Sequence, residues 1–247
     1  IYITKHGHSR KEQRRAERGT GEMNYYISDL HLLHKNCIGF DERPFADLEE
    51  MHEAILANWN RKVTNSDTVY ILGDATLYGK KEDAIALVAR MKGKKVLVRG
   101  NHDHIDDYRY QQLYEEICDY KEIQDGIDGK QYHLVLFHYP IFSWKNMGHG
   151  TILLYGHTHD SMEDTYYQEC LRKMAEEECS RHIYECRPQA YNVGCMKPWM
   201  NYEPRSLKEI LALKRRQRQE NSIFTDDIKQ VRVEQHLIHI SIHKKCG

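Results

Sequence analysis

No stretch of the 247 residues holds the roughly 20 consecutive apolar side chains that a bilayer-spanning helix needs. No apolar h-region of an export signal opens the chain either. The expectation is a cytoplasmic protein without a membrane partner. Net charge is nearly absent, at −1, so no global field draws nucleic acid, and a nucleic-acid partner is possible but disfavoured. The seven cysteines include no C-x-x-C pair. An odd number in a chain with no export signal reads as free thiols. Cys170, Cys179, Cys186 and Cys195 crowd one late segment but lack the pairing of a structural zinc site. Internal repeats and low-complexity tracts are also missing.

Enough apolar material is present for a core, 40% hydrophobic against 30% charged residues. The length suits one domain with decorations. The 16 histidines are the unusual feature, and their placement carries the functional reading. Residues 1–22 read as a polar leader or an appended remnant. From Met23 onward β-type runs alternate with helical ones, the mark of an α/β protein. The β-type runs are Asn24–Ser28, Thr68–Leu72, Lys95–Arg99, Lys121–Ile127, Tyr132–Phe137 and Thr151–Tyr155, and Asp128-Gly129 signals a hairpin between the fourth and fifth. Asp47-Leu48-Glu49-Glu50 and Ser206-Leu207-Lys208-Glu209 have the form of capping boxes. Met51, Ile55, Trp59 and Val63 follow the first at helical spacing, and a second helix through Ala84, Val88 and Met91 stops at Gly93. A charged stretch at 160–188, helical over Gln168–Glu178, reads as an insertion. The domain then spans 23–213. Residues 214–247 form a C-terminal extension, with a basic run at Lys214–Arg218 and a strand-like Leu237–His243.

Five of the β-type runs end in side chains that bind metals. Asn24–Ser28 leads into Asp29-Leu30-His31, Thr68–Leu72 into Gly73-Asp74, and Lys95–Arg99 into Gly100-Asn101-His102-Asp103. Tyr132–Phe137 leads into His138, and Thr151–Tyr155 into Gly156-His157-Thr158-His159. Ligands bind outside the carboxyl ends of strands in open α/β sheets, so residues remote in sequence converge there. Carboxylate, imidazole and amide oxygen together suit Mn, Fe, Co, Ni or Zn. Two such ions bridged by one carboxylate can clamp the attacking and leaving oxygens of a phosphoryl transfer, with a bridging hydroxide available at neutral pH. The glycines before Asp74, Asn101 and His157 are expected to supply permissive backbone torsions. Each block alone is weak, and order and placement make the signal.

The series D-x-H, G-D, G-N-H-D, H, G-H-x-H resembles the calcineurin-like metallophosphoesterase superfamily, over roughly Met23 to Leu213, and most closely its small bacterial and phage-type members. The resemblance implies an α/β sandwich of two mixed β-sheets flanked by helices. It implies two divalent ions, manganese favoured, one held by Asp29, His31 and His159 and the other by Asn101, His138 and His157, with Asp74 bridging. His102 would act as general acid or charge stabiliser, and Asp103 would orient it. Ala75-Thr76-Leu77 after Gly73-Asp74 departs from the protein serine/threonine phosphatases and the break-repair nucleases, and Tyr78 lies too far along to match the metal-bound tyrosine of purple acid phosphatases. His34, Lys35, Trp144, Asn146 and His149 are candidate substrate contacts on loops. The expected activity is hydrolysis of a phosphodiester or phosphomonoester, with a small-molecule or nucleotide substrate favoured. The alternatives are a metal-dependent nuclease and a weakly catalytic, metal-bearing interaction module.

Overall fold

The computed structural model describes residues 21–77 and 81–212. Most of the leader, Tyr78, the Lys214–Arg218 run and the strand-like Leu237–His243 lie outside the described residues. No helix among those described is long and apolar enough to cross a membrane.

Two four-stranded sheets form the frame. The first contains β1 (Asn24–Ile27), β2 (Thr68–Ile71), β3 (Lys94–Val98) and β4 (Glu116–Cys118), side by side in chain order and parallel throughout. Its antiparallel contribution is a single bridge from Tyr26 to Arg205. Parallel strands need helical crossovers, and these are α2 (Leu48–Lys62) and α3 (Lys81–Ala89). A shorter helix, α1 (Asn36–Phe40), precedes them, and α4 (Tyr108–Gln111) follows β3. At the start of α2, Asp47 accepts from the Glu50 amide at 2.9 Å, while the Glu50 carboxylate reaches back to the Ala46 amide at 2.6 Å. The helix buries Met51, Ile55, Leu56 and Trp59 against the sheet, which is the face expected from their spacing. Ser206 and Glu209 close the second capping box reciprocally.

The second sheet is mixed. The hairpin of β5 (Lys121–Ile127) and β6 (Lys130–Leu136) turns through Asp128 and Gly129, both at positive φ, as a two-residue loop requires. Then β7 (Ile152–Tyr155) and β8 (Gln189–Asn192) add in parallel. A parallel β7–β8 pair demands a crossover, and α5 (Met162–Ser180) is that crossover. The 160–188 stretch therefore supplies the helix that connects β7 to β8 and covers this sheet.

Strand alternation explains two cores. Leu134, Leu136, Ile152 and Leu154 face the first sheet in the main core with Val69, Ile71 and Leu97. Val135, Leu153, Tyr155 and Ala190 face outward and are covered by Tyr167 and Leu171 of α5. The sheets meet where Ser28, just past β1, bridges Gly194, just past β8. That seam lies at the carboxyl ends of the strands, beside the histidine-bearing loops.

Candidate metal centre

The loops after β1, β2, β3, β6 and β7 bring the expected side chains together in two adjoining groups. Asp29, His31 and His159 offer ligand atoms all within 4.8 Å of one another, and so do Asp74, His138 and His157. Asn101 joins the second group, its Oδ1 lying 3.1 Å from His138 Nε2 and 3.0 Å from His157 Nδ1. One oxygen stands between the groups: Asp74 Oδ2 is 3.6 Å from His31 Nε2 and 3.5 Å from His138 Nε2. The other, Oδ1, accepts the His102 backbone N–H at 2.9 Å.

Proton placement tests whether this cluster suits cations. A carbonyl can only accept, so His138 Nδ1, 2.8 Å from the Leu72 carbonyl, must donate. The lone pair of His138 Nε2 is then aimed at Asp74 Oδ2 and Asn101 Oδ1. Likewise His159 Nδ1 donates to Asp41 Oδ1 at 2.6 Å, leaving Nε2 facing His31 Nε2 at 3.2 Å and Asp29 Oδ1 at 3.8 Å. With both rings neutral, acceptors converge on acceptors, an arrangement that suits a cation. Burial, then His159 and Arg43, push the His31 imidazole down to about 2, so it is neutral and free to ligate. Burial also lowers His157, with His138 adding to the effect. Burial pulls His159 down too, but Asp41 and Asp29 outweigh it and raise the ring. Burial raises Asp29 against the opposing pull of His159 and His138. The oxygen and nitrogen donors fit divalent ions of borderline softness.

The backbone is bent to this purpose. Asp29, His31, Asp74, His157 and His159 all adopt positive φ, between 49° and 70°. That region costs roughly 1–2 kcal/mol for an ordinary side chain, and such outliers concentrate where function requires them. The preceding glycines divide in their reasons. Only Gly73 takes a positive φ. Gly100 and Gly156 are there for space. A methyl group on Gly100 would overlap the Asp74 carboxylate, and one on Gly156 would stand 2.5 Å from Asp29 Oδ2. The torsional expectation is thus corrected at two of the three positions.

His102 belongs to neither group, its ring 5.5 Å from that of His31. Asp103 does not orient it. Its carboxylate accepts the backbone N–H groups of Gly100, Asp74 and Ala75 at 2.8, 2.8 and 2.9 Å, stapling the loop after β2 to the loop after β3. The expected substrate contacts separate. His34 is in the cluster, Nδ1 lying 3.4 Å from His31 Nδ1, and burial and His102 lower it. Lys35 is exposed, just before α1. Trp144 is a core residue of the outer layer, its indole donating to the Thr151 carbonyl. Asn146 begins the short 3-10 turn Met147–His149, and His149 pairs with Glu185 at 3.1 Å on the surface.

Three supporting residues carried no signal in the sequence. Ser28 donates to Asp29 Oδ2 at 2.7 Å. Arg43, buried, donates to Asp41 Oδ2 through Nε and Nη2 and to the Leu30 and Asp29 carbonyls. Asp41 receives His159. The last two sit in Phe40-Asp41-Glu42-Arg43-Pro44-Phe45, where charged residues between aromatics resemble any surface loop.

Two sheets whose strand ends gather carboxylates and imidazoles into paired groups define an α/β protein with candidate ligand sets for metal ions at a seam. The pattern of the calcineurin-like phosphoesterase family matches residues 25–178, and the chain belongs to that family, whose members generally hydrolyse phosphate esters and typically bind two divalent metals. An uncharacterised protein of Methanocaldococcus jannaschii is 34% identical over 144 residues, covering 58% of this chain and 72% of that protein. The gene 66 protein of Mycobacterium phage L5 is 31% identical over 163 residues, covering 56% and 78%. A solved structure of a protein of unknown function from Aquifex aeolicus aligns with a TM-score of 0.56 at 26% identity, over 78% of this chain and 100% of that one.

Proposed function

We propose that the chain is a binuclear metal-dependent hydrolase of phosphodiesters or phosphomonoesters, with small-molecule or nucleotide esters as its substrates, manganese as the preferred ion and the cytoplasm as its setting. Asp74 Oδ2, nearly equidistant from a histidine of each group, is the observation that carries the binuclear reading. Free thiols at Cys37, Cys118, Cys170, Cys179, Cys186 and Cys195 accord with a reducing compartment.

Asp29, His31 and His159 would hold one cation and Asn101, His138 and His157 the other, with Asp74 shared. Divalent ions so held would supply Lewis acidity toward the phosphoryl oxygens and a more acidic water as nucleophile. The protein's own groups do the rest. His102 stands beside the cluster without a place in either group, which suits it to protonate the leaving oxygen or to balance phosphoryl charge. Asp103 keeps the two ligand loops in register. Phe40 is 57% exposed and its ring lies 5.7 Å from that of His159 and 5.5 Å from that of His34. An exposed aromatic at the rim of a polar cluster suits a substrate with a flat ring, such as a nucleobase.

The test combines equilibrium dialysis against Mn²⁺ with hydrolysis of a nitrophenyl monoester, a bis-nitrophenyl diester, a nucleotide diester and single-stranded DNA. About two ions per chain and metal-dependent hydrolysis of the small esters are expected. Full activity after exhaustive chelation would sink the binuclear reading, and a dominant rate on DNA would make the protein a nuclease.

A further inference from the structure

Among the described residues, His159 is the histidine of the cluster whose outward ring nitrogen meets a carboxylate, and that carboxylate is itself fixed. Asp41 is only 4% exposed at its side chain. Its Oδ1 accepts from His159 Nδ1 at 2.6 Å. Its Oδ2 accepts from Arg43 Nε and Nη2 at 2.9 and 2.8 Å. Arg43 in turn holds the backbone carbonyls of Leu30 and Asp29, so one guanidinium ties Asp41 to the loop that carries Asp29 and His31. His138, the comparable histidine of the other group, leans on an uncharged partner, the Leu72 carbonyl.

Given the reading of Asp29, His31 and His159 as one cation site, we infer that Asp41 is a positioning residue that sets the affinity of that site. The hydrogen bond keeps the proton on His159 Nδ1 and the lone pair on Nε2, facing the group. A full negative charge behind the ring also makes Nε2 a stronger donor to a cation. Asp41 touches neither substrate nor reacting atoms in this scheme. It acts through His159, and the Arg43 clamp prevents it from turning away.

The experiment is a titration of chelator-treated full-length protein with Mn²⁺ alone, reading free ion by its electron paramagnetic resonance signal, for wild type, Asp41→Ala and Asp41→Asn. Wild type is expected to bind two ions. In Asp41→Ala one binding event weakens about 10–100-fold, the range typical of partners behind a metal-bound histidine, and the other stays within about twofold. Asp41→Asn keeps an acceptor oxygen without the charge and falls between them. Melting temperatures of the metal-free proteins run in parallel, since a purely structural role for the Asp41–Arg43 pair would lower them in both variants. Two undiminished events in Asp41→Ala overturn the inference. So does an equal weakening of both events together with a lower metal-free melting temperature. A wild type that binds fewer than two ions removes the underlying site reading, and the role of Asp41 with it.

Discussion

Asp29, His31 and His159 on one side, and Asp74, His138 and His157 on the other, each combine loops of both sheets, yet they are backed differently. Behind the first group stand charged side chains, Asp41 and Arg43, and the Ser28 hydroxyl. Behind the second stands mostly backbone: the Leu72 carbonyl on His138, the His102 amide on Asp74, and the amides that Asp103 gathers. Burial is alike in the two: Asp29 and His31 on one side and Asp74 and His138 on the other are buried, His159 and His157 are half-buried, and Asn101 adds an exposed side chain to the second. Side-chain backing tunes charge, and backbone backing fixes position. A cluster with one side of each kind has one electrostatically adjusted half and one half held mainly by the main chain.

Removing the residue common to both halves should have the largest effect. Asp74→Asn is expected to lower metal content and activity more than Asp29→Asn, and both binding events should weaken beyond the 10–100-fold typical of a supporting partner. Metal per chain by elemental analysis decides it, and equal occupancy in the two variants would count against a shared oxygen.

Next comes His102. Turnover in His102→Ala should fall by about 10²–10⁴-fold while both ions remain. Alkyl esters should suffer more than nitrophenyl esters if the residue donates a proton, and alike if it balances charge. Loss of an ion in this variant would place His102 inside the first half.

The pH response should separate the buried His31 from the half-buried His157. Burial pushes the His31 imidazole of the folded chain down from its ordinary 6.5 to about 2, so below about pH 6.5 the unfolded chain takes up a proton that the folded one refuses. The penalty grows as pH falls, by at most about 1.4 kcal/mol per pH unit for one proton. Metal-free wild type should therefore lose more melting temperature between pH 7 and 5.5 than His31→Gln does. His157→Gln, altered at a half-buried ring, should flatten the curve less. Identical slopes in all three proteins would remove the distinction.

Trp144→Phe should matter least to the centre. Metal content and turnover should stay within about twofold, and the orphaned Thr151 carbonyl should cost about 1–3 kcal/mol in urea unfolding. A kinetic defect without a stability change would return Trp144 to the substrate.

Much of this was legible from residue order because ligand blocks and strands share a short-range grammar. An apolar run followed by carboxylate or imidazole, often through a glycine, can be read within ten residues, and it placed these side chains at strand ends, while their division into two groups came with the family resemblance. Ser206–Glu209 and Asp128–Gly129 were legible for the same reason, being local hydrogen-bond and torsion rules. What stayed hidden depends on distance. Nothing near Asp41 announces that His159, 118 residues away, will face it. Asp103 follows His102 directly, which suggested a partnership, but its carboxylate turns back to the amides of Gly100, Asp74 and Ala75. Trp144 looked loop-borne because the outer core is completed only by the long-range arrival of α5. The 160–188 stretch read as an insertion because its charged face dominates the composition, while the buried face amounts to a few residues such as Tyr167, Leu171 and Ala175.

The Ser28–Gly194 bridge lies on the seam between the two sheets, and each candidate ligand group reaches across that seam, with Asp29 and His31 from one sheet and His159 from the other. Cation binding at these residues would then be mechanical as well as chemical. Its free energy, which grows as RT ln(1 + [L]/Kd) for a ligand of the folded state, would favour the packing of one layer on the other. Two cations so placed would act as a rivet, and the melting temperature would rise with the metal concentration.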